Sequence, residues 1–263
     1  MEDFKDKVVW ITGASSGLGK FMAYEFAKSG AKLALSARRT TELEHVLEKV
    51  MILGGHGIVV PCDIRDESAI EQAVATITGH FGGLDVAIAN AGFGVSGKIE
   101  QLSADDWKRQ LDINVVGLAL TAKHALPHLR AVKGRLVLIG SVAAYIPSPG
   151  TGAYGASKAA VRSIGQTLQL ELKGSGVSCT VIHPGFVDSD IARVNNEGVL
   201  DAEKADPRPQ NLMWPTDKAA RVMVRAVASR KKSFVFTGHG VIMAWIGQHF
   251  PGTAAWLLGK VIP

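Results

Sequence analysis

Short apolar runs alternate with longer amphipathic stretches almost to the end of this chain. Val8–Thr12 and Arg135–Gly140 are nearly continuous in apolar residues, as expected for strands that are covered on both faces of a sheet. Thr40–Leu53 and Gly152–Lys173 instead repeat their apolar residues at helical spacing. Helices that alternate with buried strands pack on both faces of one parallel sheet. The sequence therefore predicts an α/β fold built on a doubly wound parallel sheet of about seven strands.

The same alternation predicts the bounds of each element. The predicted strands are Val8–Thr12, Lys32–Ser36, Gly57–Cys62, Leu84–Ala89, Arg135–Gly140, Val177–Ile182 and Ser233–Thr237. The predicted helices are Leu18–Ser29, Thr40–Leu53, Asp66–Phe81, Asp105–Leu129, Gly152–Lys173 and Thr216–Arg230. Asp66 and Ser103 are predicted N-caps, because each lies at or just before the start of a predicted helix and an acidic residue follows within three positions. Without a repeat or linker to divide it, the chain is expected to form one domain over residues 1–237, followed by an apolar extension over residues 238–263.

The composition excludes several classes of protein. The 263 residues are 47% apolar and 20% charged with a net charge of +5, which is typical of a globular protein and not of a disordered or collagen-like one. Lysine and arginine are spread along the chain, so nucleic acid is not an expected partner. The eight histidines show no metal-ligand spacing, so no metal site is expected.

The cysteines and the first residues indicate the compartment. Cys62 and Cys179 lie in no C-x-x-C or His-rich cluster, so both are expected to be reduced and buried. The chain starts with acidic residues and has only a short apolar run before the first glycine, unlike a signal peptide. A cytoplasmic, reducing location is therefore the expectation.

A glycine-rich turn, Thr12–Gly19 (TGASSGLG), links the first predicted strand to the first predicted helix. Glycines in such a turn let the backbone approach a phosphate, and the N-terminus of the helix presents N–H groups to the anion. The spacing is G-x-x-x-G-x-G and not the commoner G-x-G-x-x-G. A tight turn that needs positive φ is the simpler alternative. Its place in the first βα unit of a doubly wound sheet favours a dinucleotide site.

The end of the second predicted strand bears on the choice of cofactor. The segment Ser36–Thr40 contains Arg38 and Arg39 and no acidic residue. A carboxylate at this point binds the ribose 2′-hydroxyl of NAD(H), whereas an arginine accommodates the 2′-phosphate of NADP(H). Two solvated arginines at the start of a helix are the alternative. The sequence favours NADP(H).

Three polar residues form a candidate reacting group. Ser141 follows the fifth predicted strand, and Tyr154 and Lys158 are four residues apart, on one face of a helix. A cation beside a phenol favours the phenolate, so Lys158 is expected to lower the pKa of Tyr154 and make it a general acid/base. Ser141 can donate a hydrogen bond to a carbonyl oxygen on which negative charge develops. Y-x-x-x-K alone is common on helix surfaces, but the company of Ser141 and the glycine turn makes chance a poor explanation.

Together these motifs resemble the short-chain dehydrogenase/reductase family, in its compact single-domain branch with a Rossmann-type sheet. The resemblance covers about Lys7–Phe236. Besides the glycine turn, it is carried by Asp63–Ile64, Ala89–Gly92 (ANAG), Asn114, Ser141, Tyr154, Lys158 and Pro184–Gly185. Ala89 and Ser189 depart from the Asn and Thr that the family usually has, and each keeps the needed size or hydroxyl.

The resemblance implies a role for each matching residue. The catalytic set would be Asn114, Ser141, Tyr154 and Lys158. Tyr154 would exchange a proton with the substrate oxygen, Lys158 would hold the nicotinamide ribose, and Asn114 would hold a water that links Lys158 to solvent. Arg38 would be the main ligand of the 2′-phosphate. Together with Tyr154 and Lys158, the residues implied to bind NADP(H) are Gly13, Ser15, Ser16, Gly17, Leu18, Gly19, Arg38, Arg39, Asp63, Ile64, Asn90, Ala91, Gly92, Pro184, Gly185, Val187 and Ser189.

Residues 188–215 interrupt the alternation of strands and helices. This stretch is polar and Pro-rich with no clear period, which predicts a long irregular excursion that acts as a substrate lid. The expected substrate contacts are Ser141, Tyr154, Phe93, Tyr145 and Phe186, with Met213 and Trp214 as further candidates for an apolar pocket.

The apolar extension, residues 238–263, is the second exception. Gly240, Gly247, Pro251 and Gly252 interrupt it, so no stretch reaches the length of a membrane-spanning helix. The extension could pack over the substrate cleft or a neighbouring subunit, or could bring Trp245 and Trp256 to a membrane surface. The resemblance also implies a homodimer or homotetramer formed through the helices that carry Asn114 and Tyr154. The small side chains expected to permit close approach are Ala153, Ala156, Ala159 and Ala160.

These expectations describe an NADP(H)-dependent oxidoreductase that transfers hydride between the nicotinamide and a carbonyl or secondary alcohol. The aromatic candidates and the apolar extension favour a lipid-, steroid- or long-chain-like substrate. A catalytically silent NADP(H)-binding sensor or scaffold on the same fold is the alternative. A sugar-nucleotide epimerase or dehydratase is a second alternative, which the glycine spacing and the short C-terminal part resemble less.

Overall fold

Seven parallel strands form one sheet with helices on both faces. The computed structural model describes residues 4–201, 203 and 205–253. The strands are β1 Val8–Thr12, β2 Lys32–Ser36, β3 His56–Val59, β4 Val86–Ala89, β5 Arg135–Ile139, β6 Ser178–Pro184 and β7 Ser233–Phe236. The helices are α1 Gly17–Ala27, α2 Thr40–Ile52, α3 Glu67–Phe81, α4 Ala104–Leu111, α5 Leu118–Val132, α6 Gly152–Glu171, α7 Thr216–Ala228 and α8 Gly238–His249. The predicted Rossmann-type, doubly wound parallel sheet is confirmed.

The strand order positions the functional site. The order is β3-β2-β1-β4-β5-β6-β7, so the chain builds outward from β1 to β3 and then returns to place β4 on the other side of β1. The two central strands pair in register, with Val9 opposite Val86 and Ile11 opposite Ile88. At such a reversal the connections leave the strands in opposite directions, which opens a crevice at the carboxyl ends of β1 and β4.

Two apolar layers cover the two faces of the sheet. Because successive side chains of a strand point to opposite faces, Val9 and Ile11 lie in one layer and Val8 and Trp10 in the other. Helices α1, α2 and α7 cover the first layer, and α3, α5 and α6 cover the second. Both faces of the strands are therefore buried, which explains their near-continuous apolar sequences.

One predicted helix differs in the structure. The stretch predicted as Asp105–Leu129 is α4, a π-helical turn at Asp112–Gly117 and then α5. The wider turn adds a residue to the helix, which changes the direction of the side chains on either side of it. The two predicted N-caps are confirmed, since Asp66 accepts from the backbone N–H groups of α3 and Ser103 forms a capping box at α4.

The described part of the apolar extension is helical. Helix α8 continues through Gly240 and Gly247, so these glycines do not interrupt it as the sequence suggested. They instead allow close packing, because a side chain at Gly247 would overlap the carbonyl oxygen of Tyr145 and one at Gly240 would approach Val142. Within the described ranges, no helix is both long and apolar enough to cross a membrane. Trp256 lies outside the described residues.

Ala153 has a different environment from the one predicted. It is fully buried within its own chain, in a small core with Phe93 and Val95. Ala153 therefore lies inside the protomer and is removed from the predicted subunit contact, whereas Ala156 and Ala159 on the same helix are exposed. The expected dimer or tetramer itself stays a prediction.

Candidate active site

A cleft of about 550 Å³ opens at the carboxyl ends of the central strands, where the strand order reverses. The structure brings almost all of the predicted cofactor residues together in its lining. These are Gly13, Ser15, Ser16, Gly17, Leu18, Arg38, Arg39, Asp63, Ile64, Asn90, Ala91, Gly92, Tyr154, Lys158, Pro184, Gly185, Val187 and Ser189. Gly19 is the exception, because it lies behind the glycine turn. Residues that are far apart in the sequence, from Gly13 to Ser189, thus form one surface.

The glycine turn is held tightly against the loop that follows β4. Gly13 has a φ of 67°, and a Cβ there would lie 2.7 Å from Cα of Ala91. The side-chain amide of Asn90 donates to the carbonyl oxygens of Thr12 (2.9 Å) and Gly13 (3.2 Å). A side chain at Gly19 would overlap the carbonyl oxygen of Gly13. Close packing therefore requires glycine at Gly13 and Gly19, whereas Gly17 has a positive φ of 52°.

The N-terminus of α1 faces the cleft without a cap. Ser16 occupies the N-cap position but makes no side-chain capping bond, and the first turn contains no acidic residue. Uncapped N–H groups and the positive end of the helix dipole are the features that bind a phosphate. The turn and helix α1 therefore fit the diphosphate of a dinucleotide.

The two arginines after β2 line the same cleft. Arg39 donates from Nη2 to the hydroxyls of Ser15 (3.0 Å) and Ser16 (3.1 Å). The nearby carboxylate of Asp63 is paired with Arg65, whose Nη2 lies 2.6 Å away and holds the pKa of Asp63 below its usual range. Neither Arg38 nor Arg39 forms an ion pair with an acidic residue in the described ranges. This end of the cleft thus presents positive charge to a ligand.

Ser141, Tyr154 and Lys158 meet at the other end of the cleft. Ser141 caps a short 3-10 turn, with its Oγ accepting from the N–H of Ala143 at 3.1 Å. Tyr154 lies in the first turn of α6 and is hydrogen-bonded to the Ser141 side chain. One turn later, Lys158 donates from Nζ to the carbonyl oxygen of Ile139 at 2.9 Å. The predicted reacting group is therefore assembled.

The expected effect of Lys158 on Tyr154 is wrong. Burial raises the pKa of Tyr154 above 10, and only a hydrogen bond with Ser141 and the positive charge of Arg208 oppose it. Burial also lowers the pKa of Lys158 to about 8. The Lys158 Nζ lies 5.7 Å from the centre of the tyrosine ring and bonds to Ile139, so desolvation outweighs its attraction for a phenolate. Tyr154 is consequently a protonated phenol at neutral pH.

Asn114 lies behind the cleft and is fully buried. Its side chain accepts from the N–H of Phe93 (3.0 Å) and donates to the carbonyl oxygen of Phe93 (2.9 Å) and to Ser157 Oγ (3.1 Å). A Cβ at Gly92 would lie 3.0 Å from Asn114 Oδ1 and 3.7 Å from Lys158 Nζ, so Asn114 and Lys158 flank the same glycine. Asn114 thereby fixes the loop after β4, and its predicted water remains a prediction.

Only part of the predicted substrate pocket lies in the cleft lining. Phe93 lines the cleft, but Tyr145 and Phe186 do not. The Tyr145 ring packs edge-on against His183, and the Phe186 ring stacks on His239 at 5.1 Å, so both rings already have partners. Met213 and Trp214 also lie outside the lining, which instead takes its apolar residues from the π-helical turn and the lid. These are Ile113, Ile191, Val194, Val199 and Leu200.

Residues 188–215, the predicted lid, contribute Ile191, Val194 and Arg208 among others to the cleft lining, and a hairpin at their centre was not expected. Val194 pairs with Leu200 around Gly198, which has a φ of 86°. At the tip, Asn196 exchanges two 3.0 Å hydrogen bonds with the backbone of Ser96 and accepts from Arg109 at 2.6 Å. The hairpin is therefore tied to the loop after β4 and to α4.

A model of the short chain dehydrogenase family matches residues 7–199. The chain belongs to the short-chain dehydrogenase/reductase family. The protein named dehydrogenase/reductase SDR family member 7 from Mus musculus is 32% identical over 98% of this chain and 79% of its own length. The 11-beta-hydroxysteroid dehydrogenase-like 2 of Arabidopsis thaliana is 41% identical over 72% of this chain. The chain spans only 62% of that plant relative and 59% of the 11-beta-hydroxysteroid dehydrogenase A of Arachis hypogaea.

Solved structures show the same architecture. A short-chain dehydrogenase/reductase from Burkholderia phymatum in complex with NAD is 27% identical, covers 92% of both chains and superposes with a TM-score of 0.82. An alcohol dehydrogenase from Thermococcus sibiricus complexed with 5-hydroxy-NADP is 26% identical over 88% of this chain and 95% of its own, with a TM-score of 0.76. The fold of this short-chain dehydrogenase/reductase therefore supports a nicotinamide cofactor, and its neighbours include one bound to NAD and one to an NADP analogue.

His183 supports the active site of this short-chain dehydrogenase/reductase from behind. The ring is 1% exposed, and Nδ1 lies 3.2 Å from the carbonyl oxygen of Ser141. Burial lowers the pKa of His183 to about 4, so the imidazole is neutral and donates to that carbonyl group. His183 therefore packs behind the site as a neutral imidazole.

Acid is expected to destabilise the protein through His183. Below pH 6.5 the unfolded chain binds a proton at this histidine that the folded protein does not bind, so the free energy of unfolding falls as the pH drops towards 4. The shift of its pKa corresponds to roughly 3 kcal/mol at most. Chemical denaturation at several pH values should show a smaller fall for His183→Gln than for the wild type. The exposed His45→Gln is the control, and equal falls in all three proteins would contradict the assignment.

Proposed function

We propose that the protein is an NADP(H)-dependent oxidoreductase that interconverts a carbonyl group and a secondary alcohol on an apolar, steroid- or lipid-like substrate. One observation carries the proposal. A single cleft contains an uncapped helix N-terminus at one side, two arginines at one end and the Ser141–Tyr154–Lys158 group at the other. This order of phosphate, 2′-phosphate and reacting groups matches the parts of the dinucleotide.

The side chains of the cleft can perform the proton chemistry. When bound, the nicotinamide supplies or accepts the hydride. Ser141 Oγ accepts from the N–H of Ala143, and its hydroxyl can donate to a substrate carbonyl oxygen in place of the Tyr154 oxygen. The raised pKa keeps Tyr154 protonated until an alkoxide, which is a far stronger base, develops beside it. Lys158, with a pKa of about 8, exchanges protons near neutral pH and can resupply the phenol.

The preference for NADP(H) rests on charge. Arg38 and Arg39 line the cleft where β2 ends, and no acidic side chain follows this strand to bind a 2′-hydroxyl. Asp63, the nearest acid on the adjacent loop, is paired with Arg65. A guanidinium group can donate two hydrogen bonds to the oxygens of a 2′-phosphate, which is also negatively charged. The 2′-hydroxyl of NAD(H) is neutral and offers one oxygen, so an arginine favours NADP(H).

The apolar substrate is supported by the lining of the cleft and by the relatives. Phe93 and the lid residues Val194, Val199 and Leu200 line the cleft. Val199 is 60% exposed and Leu200 44%, so these side chains have apolar surface that a ligand could cover. Several relatives are named 11-beta-hydroxysteroid dehydrogenase, which is consistent with a polycyclic alcohol or ketone.

Arg38→Ser is expected to remove the preference for the phosphorylated cofactor. Calorimetry on the wild type should show NADPH binding at least about tenfold more tightly than NADH, and the variant should lose roughly 10- to 100-fold in affinity for NADPH alone, because a charge-assisted pair is lost. Arg225→Ser, an exposed arginine of α7, is the matched control. Equal binding of both cofactors by the wild type would contradict the proposal, as would equal weakening of both by Arg38→Ser.

The substrate class is tested by NADPH oxidation with three carbonyl compounds. A steroid ketone and a long-chain ketone should give higher kcat/KM values than pyruvate, because each Å² of apolar surface that they bury contributes about 25 cal/mol. Turnover confined to pyruvate would show that the substrate is small and charged.

A further inference from the structure

The backbone that follows β6 lines the same cleft as Tyr154, and its carbonyl groups accept hydrogen bonds from the lid residues Arg208 and Trp214. The carbonyl oxygen of Phe186 accepts from the N–H of Trp214 at 3.0 Å. Those of Val187 and Ser189 accept from Nη1 and Nη2 of Arg208, at 3.0 Å and 2.6 Å. One arginine of the lid therefore bonds to two alternate carbonyl groups of the cleft wall.

Arg208 is itself held in place by Asp206. Its Nε lies 2.8 Å and 3.1 Å from the two oxygens of Asp206, and its Nη2 lies 2.6 Å from the second. The side chains are 17% and 8% exposed, so the pair is shielded from solvent. The guanidinium group holds the pKa of Asp206 below its usual range. A shielded, bidentate pair positions a guanidinium group far better than an exposed one does.

The direction of the backbone leaves two N–H groups of the cleft wall available to a ligand. The N–H of Asp188 donates to the carbonyl oxygen of Trp214, on the side away from the cleft. In an extended segment neighbouring residues alternate, so Val187 and Ser189 direct their N–H and C=O groups to the opposite side. The C=O groups bond to Arg208, whereas no described residue accepts from the two N–H groups. Both residues line the cleft, and so does Arg208.

We propose that Arg208 is a positioning residue for the nicotinamide half of the cofactor, because it fixes the orientation of the Val187 and Ser189 peptide groups in the cleft wall. The role rests on the proposed NADP(H)-dependent function. The carboxamide oxygen of the nicotinamide can accept hydrogen bonds, and the two fixed N–H groups of this wall can donate them. The positive charge of Arg208 also acts on the phenol of Tyr154 and lowers its pKa.

The test compares the whole cofactor with a fragment that lacks the nicotinamide. Calorimetry would measure the Kd of NADPH and of 2′-phospho-ADP-ribose for the wild type, Arg208→Gln and Asp206→Asn. We expect NADPH to bind about 10- to 100-fold more weakly to Arg208→Gln, since two charge-assisted hydrogen bonds are lost, and the fragment to change by less than about threefold. Asp206→Asn should show the same pattern with a smaller effect. Arg225→Gln, an exposed arginine of α7 outside the cleft lining, is the control.

Two further readouts separate positioning from a general loss of structure. With NADPH deuterated at one face of C4, the wild type should transfer deuterium from one face, and Arg208→Gln should lose this fidelity. The pH profile of kcat should also move to higher pH in Arg208→Gln and stay in place in Arg208→Lys, which keeps the charge. If Arg208→Gln does not fold, Arg208→Lys carries the binding test, because a lysine cannot bond to both carbonyl groups in the same way.

Equal weakening of NADPH and of the fragment would overturn the proposal, because the loss would then come from the whole lid. An unchanged Kd for NADPH in Arg208→Gln would overturn it too. Failure of the wild type to bind either ligand would contradict the NADP(H)-dependent function and the role of Arg208 with it. A wild type that binds both ligands, with variants unaltered, would contradict only the role of Arg208.

Discussion

Tyr154→Phe is expected to lower kcat by roughly 10²- to 10⁴-fold and to leave the Kd for NADPH within about twofold of the wild type. The substitution removes the hydroxyl that bonds to Ser141. It keeps the aromatic ring, which extends from the first turn of α6 and packs near Gly94. Binding should persist because the glycine turn and the arginines are untouched. Initial rates of NADPH oxidation with a steroid ketone, together with calorimetric titration, measure the two effects separately.

The controls assign the loss to the phenol. Tyr24→Phe changes a partly buried tyrosine of α1 outside the cleft and should retain full activity. Ser141→Ala should lose activity but keep more of it than Tyr154→Phe, because Tyr154 still supplies the proton. Near-normal turnover by Tyr154→Phe would show that the proton comes from another group. Tight NADPH binding by a wild type that turns over no carbonyl compound would favour a silent sensor or scaffold.

The parts of this site that local patterns specify could be predicted from the sequence. The glycine turn follows the first strand because close packing excludes side chains there, and Tyr154 and Lys158 share a face because helical spacing requires it. The parallel sheet with helices on both faces follows from the local alternation of buried strands and amphipathic helices. Each of these features depends on residues within a few positions of one another, so one sequence is sufficient to find them.

Features that depend on tertiary packing could not be predicted in the same way. The lid has no period, so nothing in its sequence indicated that Arg208 would reach the carbonyl groups of Val187 and Ser189 or that Asn196 would bond to Ser96. The short Asp206–Arg208 spacing in a Pro-rich stretch was the one available signal. Helical spacing indicated that the positive charge of Lys158 lies near Tyr154 and predicted a lowered pKa. The desolvation that raises the pKa depends on all the residues packed around the phenol, which local spacing does not specify.

Lys158→Met is expected to abolish activity and also to stabilise the protein. Lys158 is 5% exposed, and the polar partner of its ammonium group is the carbonyl oxygen of Ile139. Burial lowers its pKa from 10.5 to about 8, so at pH 7 the folded protein contains a buried cation. That shift corresponds to roughly 3 kcal/mol of unfavourable burial. Because the unpaired carbonyl group of Ile139 offsets part of the gain, we expect the free energy of unfolding to rise by about 1–3 kcal/mol.

The pH dependence of the added stability of Lys158→Met shows whether it comes from removal of a buried charge. Between about pH 8 and 10.5 the unfolded chain keeps the Lys158 proton and the folded protein has released it, so wild-type stability rises with pH relative to Lys158→Met. The advantage of the variant should therefore be full at pH 7 and shrink towards pH 10.5. Urea denaturation of both proteins across this range measures it, with the exposed Lys123→Met as the control. A variant that is less stable than the wild type at pH 7 would contradict the prediction, because Lys158 would then stabilise the fold.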